Sequence, residues 1–182
     1  MQTHFMAMTA SLSLGFLLSA CSPSQNWRDV RFEGSSFQAQ LPCKPDRATR
    51  SVPLGATPVE LQVAGCESGS AMVAVMTTLL PAGADANALL VSWQEVTLDN
   101  ARVARPLAIG QSQMWQRAGL LPLAASTRVH TDGLQANGQS VQMDAVWGAI
   151  AEGERVRLVH GVVYDRGQTL DLANTLFEGL KP

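Results

Sequence analysis

Charge is scarce in this chain of 182 residues: Asp, Glu, Lys and Arg make up only 15% of it, and none of them precedes Arg28. The 13 basic and 15 acidic residues nearly cancel, to a net charge of -2. There is therefore no basic footprint for nucleic acid, and no polyanion partner is expected. Scarce charge does not mean disorder here, because apolar residues make up 46% of the chain and can build a buried core. Histidine and cysteine are also few, at three each. The sequence has no G-x-S-x-G elbow, no H-E-x-x-H, no P-loop and no G-x-G-x-x-G. Those absences remove the common signatures of serine hydrolases, zinc proteases, P-loop proteins and dinucleotide enzymes. No cofactor and no catalytic or metal-ligating set is predicted. Repeats, long linkers and low-complexity tracts are missing too, so the chain reads as one domain after a leader.

The leader is the first thing that is present. Phe5 to Ala20 is an uncharged run of 16 residues with the apolar cluster Leu12, Leu14, Phe16, Leu17 and Leu18. A membrane-spanning helix needs about 20 apolar residues, so this run fits the h-region of a secretion signal instead. It ends in Leu18-Ser19-Ala20-Cys21, which resembles the lipobox of bacterial lipoproteins: an apolar residue, two small residues and a cysteine. The resemblance implies a signal peptide over residues 1–20, removed to leave Cys21 as a diacylglycerol-bearing first residue. An ordinary secretory signal, or an uncleaved anchor with an incidental cysteine, is the competing reading. Met1-Gln2-Thr3-His4 departs from the family pattern in carrying no Lys or Arg. Residues 21–26 read as a polar, proline-containing tether with a reach of about 17 Å. In lipoproteins of Gram-negative bacteria an Asp after the cysteine retains the protein in the inner membrane. Ser22 in that position points to the periplasmic leaflet of the outer membrane.

Removing Cys21 leaves Cys43 and Cys66, an even pair in an oxidising compartment, which predicts a disulfide. The strand-like segments Arg47–Leu54 and Pro58–Ala64, joined through Gly55-Ala56-Thr57, form a hairpin that returns both cysteines to one end. Closing such a loop is worth roughly 3 kcal/mol in the chain-entropy account.

Along residues 27–182, alternation of apolar and polar residues marks Phe37–Leu41 and Val59–Val63 as half-buried strands, with a further strand over Trp27–Phe32. Ala71–Leu80 is nearly continuous in apolar and β-branched residues and reads as a central strand covered on both faces, stopped by Pro81. Asp85 offers an N-cap to a helix whose apolar positions are Ala86, Leu89, Leu90, Trp93, Val96 and Val103, running up to Pro106. Leu107–Leu123 lacks a period and reads as a long loop with a short element around Met114 and Trp115. Ser126–Gln135 and Ser140–Ala151 flank Asn137-Gly138, a strong hairpin signal, and Glu152-Gly153-Glu154 turns into a strand over Arg155–Asp165. Thr169–Leu180 closes the chain as a helix, with Leu170, Ala173, Leu176, Phe177 and Leu180 on one side. Strands grouped between two helices predict an α+β fold, mainly an antiparallel sheet packed with two helices. This element order, with Phe37-Gln38-Ala39-Gln40-Leu41-Pro42 and the closing Leu176-Phe177, resembles the small PsbP/Mog1-type domains. Leu41-Pro42-Cys43 is also similar to a segment of uncharacterised disulfide-containing proteobacterial lipoproteins. Such resemblances imply binding or accessory roles without a shared catalytic set.

Two side-chain groups are candidates for function. His130, Asp132, Asp144 and His160 could meet across the three-strand meander as an acid–base or metal cluster. The competing reading puts His130 in a solvated charge row with Arg128 and Asp132, and His160 among core residues with Leu158 and Val162. Met114, Trp115 and Arg117, an aromatic beside an arginine in an irregular segment, have the composition of a partner-binding spot. Met72 and Met76 share a strand face and are expected to pack in the core, as are Trp93 and Trp147. The predicted function is a non-catalytic envelope lipoprotein with a binding, assembly or accessory role, anchored to the membrane by its lipid and engaging a protein partner. An envelope hydrolase or metal-dependent enzyme using the His/Asp cluster, and a carrier of a small hydrophobic ligand, are the alternatives.

Overall fold

The computed structural model describes residues 25–55, 57–167 and 170–182. The expected signal over residues 1–20, Cys21 and the part of the expected tether up to residue 24 lie outside them. The strands are β1 (Arg28–Arg31), β2 (Gln38–Leu41), β3 (Asp46–Leu54), β4 (Thr57–Ser68), β5 (Ala71–Leu79), β6 (Ser112–Met114), β7 (Thr127–Leu134), β8 (Ser140–Glu152) and β9 (Arg155–Asp165). The helices are α1 (Ala86–Asn100) and α2 (Leu170–Glu178). The fold is thus mixed, with mainly antiparallel strands and two helices among the described residues. No helix among them is long and apolar enough to cross a membrane.

β3 to β9 form one antiparallel sheet in the order β3-β4-β5-β9-β8-β7-β6, and β1-β2 form a separate two-stranded sheet. The chain meanders inward from one edge through β3, β4 and β5. It then crosses by way of α1 to the opposite edge and meanders back through β6 to β9. That return places β9 against β5 in the centre, where both strands have neighbours on each side.

Two cores lie on opposite sides of the sheet. On one, α1 buries Leu90, Trp93 and Leu98 against Met143, Ala145, Trp147, Leu158 and Val162. On the other, α2 and the β1–β2 hairpin bury Phe37, Leu41, Leu172, Leu176 and Phe177 against Val73, Val75, Val146, Ile150 and Val159. Successive strand residues point to opposite faces, so Val146 belongs to one core and Trp147 to the other. This explains why β8 is buried without a break from Met143 to Ile150. Each fully buried Leu, Val or Phe contributes about 1.5–3 kcal/mol relative to exposure.

Several expectations are corrected. β5 is central, but it is covered fully on one face only: Val73 and Val75 are buried on the α2 side, while Met72 on the α1 side is 46% exposed. α1 lies over β3, β8 and β9 and leaves that end of β5 open. α1 also stops short of Pro106. Its Asp85 cap accepts from Ala88 N–H at 3.0 Å as the sequence implies. At the other end Arg102 N–H reaches Asp99 O (2.9 Å) and Val103 N–H reaches Leu98 O (3.0 Å). This is the Schellman closure, with Arg102 at φ +48° in the position usually given to glycine. Val103 is buried by the turn that follows the helix, and Val96 is 46% exposed. The aperiodic segment contains β6, which pairs with β7. Within the segment read as a tether, Asn26 N–H already bonds Pro42 O at 2.8 Å. Ala56 at the β3–β4 turn, Thr169 and the side chain of Leu170 lie outside the described residues.

Cys43, just before β3, is bonded to Cys66 in β4, with Cα atoms 6.0 Å apart. The hairpin returns the chain as expected, with Asp46 opposite Gly65. The chain's end is stitched in as well, since Gln38 and Lys181 exchange two backbone hydrogen bonds of 3.0 and 2.8 Å. β2 thereby fixes the position of α2.

Candidate functional site

The meander brings one part of the His/Asp group together and separates the rest. Antiparallel pairing of β7 and β8 puts His130 directly opposite Asp144. Arg128, two residues back, shares their face. Its Nε and Nη2 donate to both Asp144 oxygens at 2.8 and 3.0 Å, and His130 Nδ1 lies 3.0 Å from Oδ2. The carboxylate is almost wholly buried, whereas the His130 side chain is 43% exposed. On its other side the Arg128 guanidinium sits 5.0 Å from the ring centre of Phe177 on α2, a cation–π contact that ties helix to sheet. The two-pronged contact from Arg128 engages both oxygens of Asp144. Among the described residues no hydroxyl or thiol is hydrogen-bonded to His130. Asp132 is on the same face, exposed, opposite Gln142.

His160 is on the other face. It pairs with Trp147 across β8–β9, and its ring stacks on the Trp147 ring at 4.7 Å with 5° between the planes. The Trp93 ring of α1 meets it edge-on at 5.3 Å. Its Nδ1 is 2.9 Å from Val146 O, which can only accept, so the proton is on Nδ1 and Nε2 is a bare acceptor. Neither Nε2 nor the nearby Trp147 Nε1 has a partner among the described residues. Burial holds the imidazole pKa down at about 4, so it is neutral at physiological pH. The four-residue cluster therefore does not converge: two members meet, one is in solvent, and one is sealed on the far side. No group of three His, Cys, Asp or Glu positioned for a metal exists among the described residues.

The Met114, Trp115 and Arg117 segment is also rearranged relative to expectation. Met114 is 65% exposed, but Trp115 is only 8% exposed and packs in the α2-side core. Gly148 makes its slot, since a Cβ there would come within 3.0 Å of the Trp115 ring. Arg117 caps α2, which has no basic residue in its last turn, by donating to Phe177 O and, at 3.1 Å, to Glu178 O. Trp115 is thus an interior support and the half-buried Arg117 a helix cap, and an exposed apolar residue outside the predicted spot is Ile109. It is fully exposed at the tip of the turn closed by Gln111 N–H to Ala108 O at 3.1 Å. The signal was an apolar residue followed by a glycine inside an aperiodic stretch.

An open groove of about 480 Å³ lies past the C-terminal end of α1, with Met72, Ala101, Leu134, Val141 and Tyr164 along its apolar part. Glu67, Asn100, Gln135 and Asn137 are among the polar residues of its lining. Burial raises the Tyr164 phenol pKa. Met76, expected in the core beside Met72, is half-buried against the α1-side core. No protein-family model and no curated protein matches this chain.

Proposed function

We propose that this chain is a non-catalytic binding or assembly protein of the bacterial envelope, lipidated at Cys21 and held at the membrane through that lipid. What carries the non-catalytic part is the division of the titratable groups between the two faces of the sheet. Asp144 is paired with Arg128 and His130 on one face while His160 is buried on the other, so these groups do not face a common space. Binding needs only exposed anchors on rigid supports, and Ile109 and Met114 provide them beside the β6 edge. The order of strands and helices, with one helix on each face, supports a PsbP/Mog1-like reading of the domain. A second reading, transport of a small hydrophobic molecule, draws on the groove at Met72 and Tyr164, whose volume falls within the roughly 300–1,000 Å³ of small-molecule sites.

The anchor is tested directly. Cys21→Ser abolishes lipid labelling and leaves the unprocessed precursor; a wild-type mature chain that starts elsewhere, without acyl mass, sinks the lipoprotein reading. The binding role is tested by cross-linking in the cell's own membranes. Ile109→Asp with Met114→Asp reduces partner recovery about tenfold or more, the loss of about 1.4 kcal/mol or more expected for anchor residues. His130→Gln leaves recovery unchanged. The reverse pattern in folded protein puts the enzyme alternative first.

A further inference from the structure

The two edges of the large sheet are unequal. β6 is three residues long and is followed at once by the inward turn to Trp115. β3 is nine residues long and pairs without interruption with β4 from Asp46 to Leu54. Among the described residues no backbone hydrogen bond reaches its outer side. Long, regular, uncovered edges are rare in proteins that do not pair through them, because their free N–H and C=O groups are a template for another strand. Proline, which would block such pairing, appears in β3 only at Pro53, next to its end.

The side chains of this edge choose the partner. Even-numbered residues of β3 face the α1 side, as Val52 and Leu54 do, so Asp46, Ala48 and Arg50 stand in one row there. Asp46 and Arg50 are exposed, and neither side chain has an ion-pair partner among the described residues. We propose that β3 pairs antiparallel with β3 of a second copy about a two-fold axis at Ala48, joining the two sheets into one. In that register Asp46 of each copy stands directly opposite Arg50 of the other, giving two ion pairs on one face, with Arg47 opposite Thr49 on the other face.

Neighbouring registers are worse. With the axis at Arg47 or at Arg50, two arginines of the same kind confront each other; with the axis at Thr49, both ion pairs are lost. A two-fold interface is self-complementary, and this strand is so only with the axis at Ala48. The contact is small beside the roughly 1,200–2,000 Å² buried in stable complexes. The dimer is accordingly weak and is favoured where copies are concentrated, as on a membrane surface.

The test is sedimentation of the full chain in detergent over a concentration series. Wild type dimerises. Arg50→Asp and Asp46→Arg, each alone, weaken dimerisation at least about tenfold, because each puts like charges opposite one another twice. Mixing the two variants restores it, since a carboxylate again stands opposite a guanidinium at both crossings of the mixed pair. Both positions are exposed, and circular dichroism verifies that each variant is folded. A wild type that stays monomeric throughout, a dimer indifferent to either charge reversal, or variants that fail to rescue each other when mixed would overturn the proposal.

Discussion

Lowering the pH from 6.5 to 4 destabilises this protein by up to about 3 kcal/mol through one side chain, the buried imidazole of His160. The sign follows from where the proton binds. In the unfolded chain the imidazole takes a proton near pH 6.5, whereas in the folded chain desolvation between Trp93 and Trp147 holds that event down to about 4. Between those values the unfolded state binds more protons, so the stabilisation, complete above pH 6.5, is lost as the pH falls. Glu152 acts in the same direction but lower. Burial alone would raise its pKa, yet hydrogen bonds from Arg157 and the Ser36 N–H hold it below 4.5, so its contribution is lost only at more acid pH. Urea unfolding at pH 7, 6 and 5 therefore isolates the histidine. His160→Phe, which keeps an aromatic ring in the stack, flattens the dependence over this range. An equal slope in wild type and variant would show that acid sensitivity lies elsewhere.

Asp144→Ala costs about 3–4 kcal/mol. The substitution leaves Arg128 half-buried with its charge unmatched beside Phe177, and breaking one side of a buried, two-pronged pair is expensive for that reason. The network also holds β7, β8 and α2 together, so the loss appears in the whole unfolding transition. Replacing both partners, Arg128→Met with Asp144→Leu, recovers most of the loss, because no uncompensated charge then remains. The readout is the urea midpoint at constant slope. A loss below about 1 kcal/mol for Asp144→Ala would place this pair with ordinary exposed ion pairs.

The divided fate of the His/Asp group shows where sequence reading stopped. His130 and Asp144 share a face because the Gln135–Gln139 loop sets the β7–β8 register, with Leu134 opposite Ser140. His160 lies opposite Trp147 because the Gly153-Glu154 turn sets the next one. A shift of one residue at either turn would exchange faces, and turn composition predicts a hairpin without predicting its register. Trp115 is a different case. Its segment has no period to read, and the cavity that accepts it is made by Gly148, far along the chain on another strand. The overrun of α1 to Val103 has a local cause. Helical spacing continues past Asn100, but the left-handed Arg102 ends the helix while still folding Val103 inward.

What the sequence by itself determined is whatever depends on near neighbours or on parity. The alternation of residues 37–41 and 59–63, the Asp85 cap, the turns at Asn137-Gly138 and Gly153-Glu154, the Cys43–Cys66 bridge and the two helices all follow from local backbone preference and a period of 2 or 3.6. The tertiary structure alone decided which face each set would meet. It set the long crossing to β6, covered one side of β5 more fully than the other, turned Trp115 inward and, among the described residues, left the outer edge of β3 without a strand partner. Those outcomes depend on contacts between segments far apart in the chain, where excluded volume and the burial of two opposite sheet faces choose among arrangements that local energies leave nearly equal.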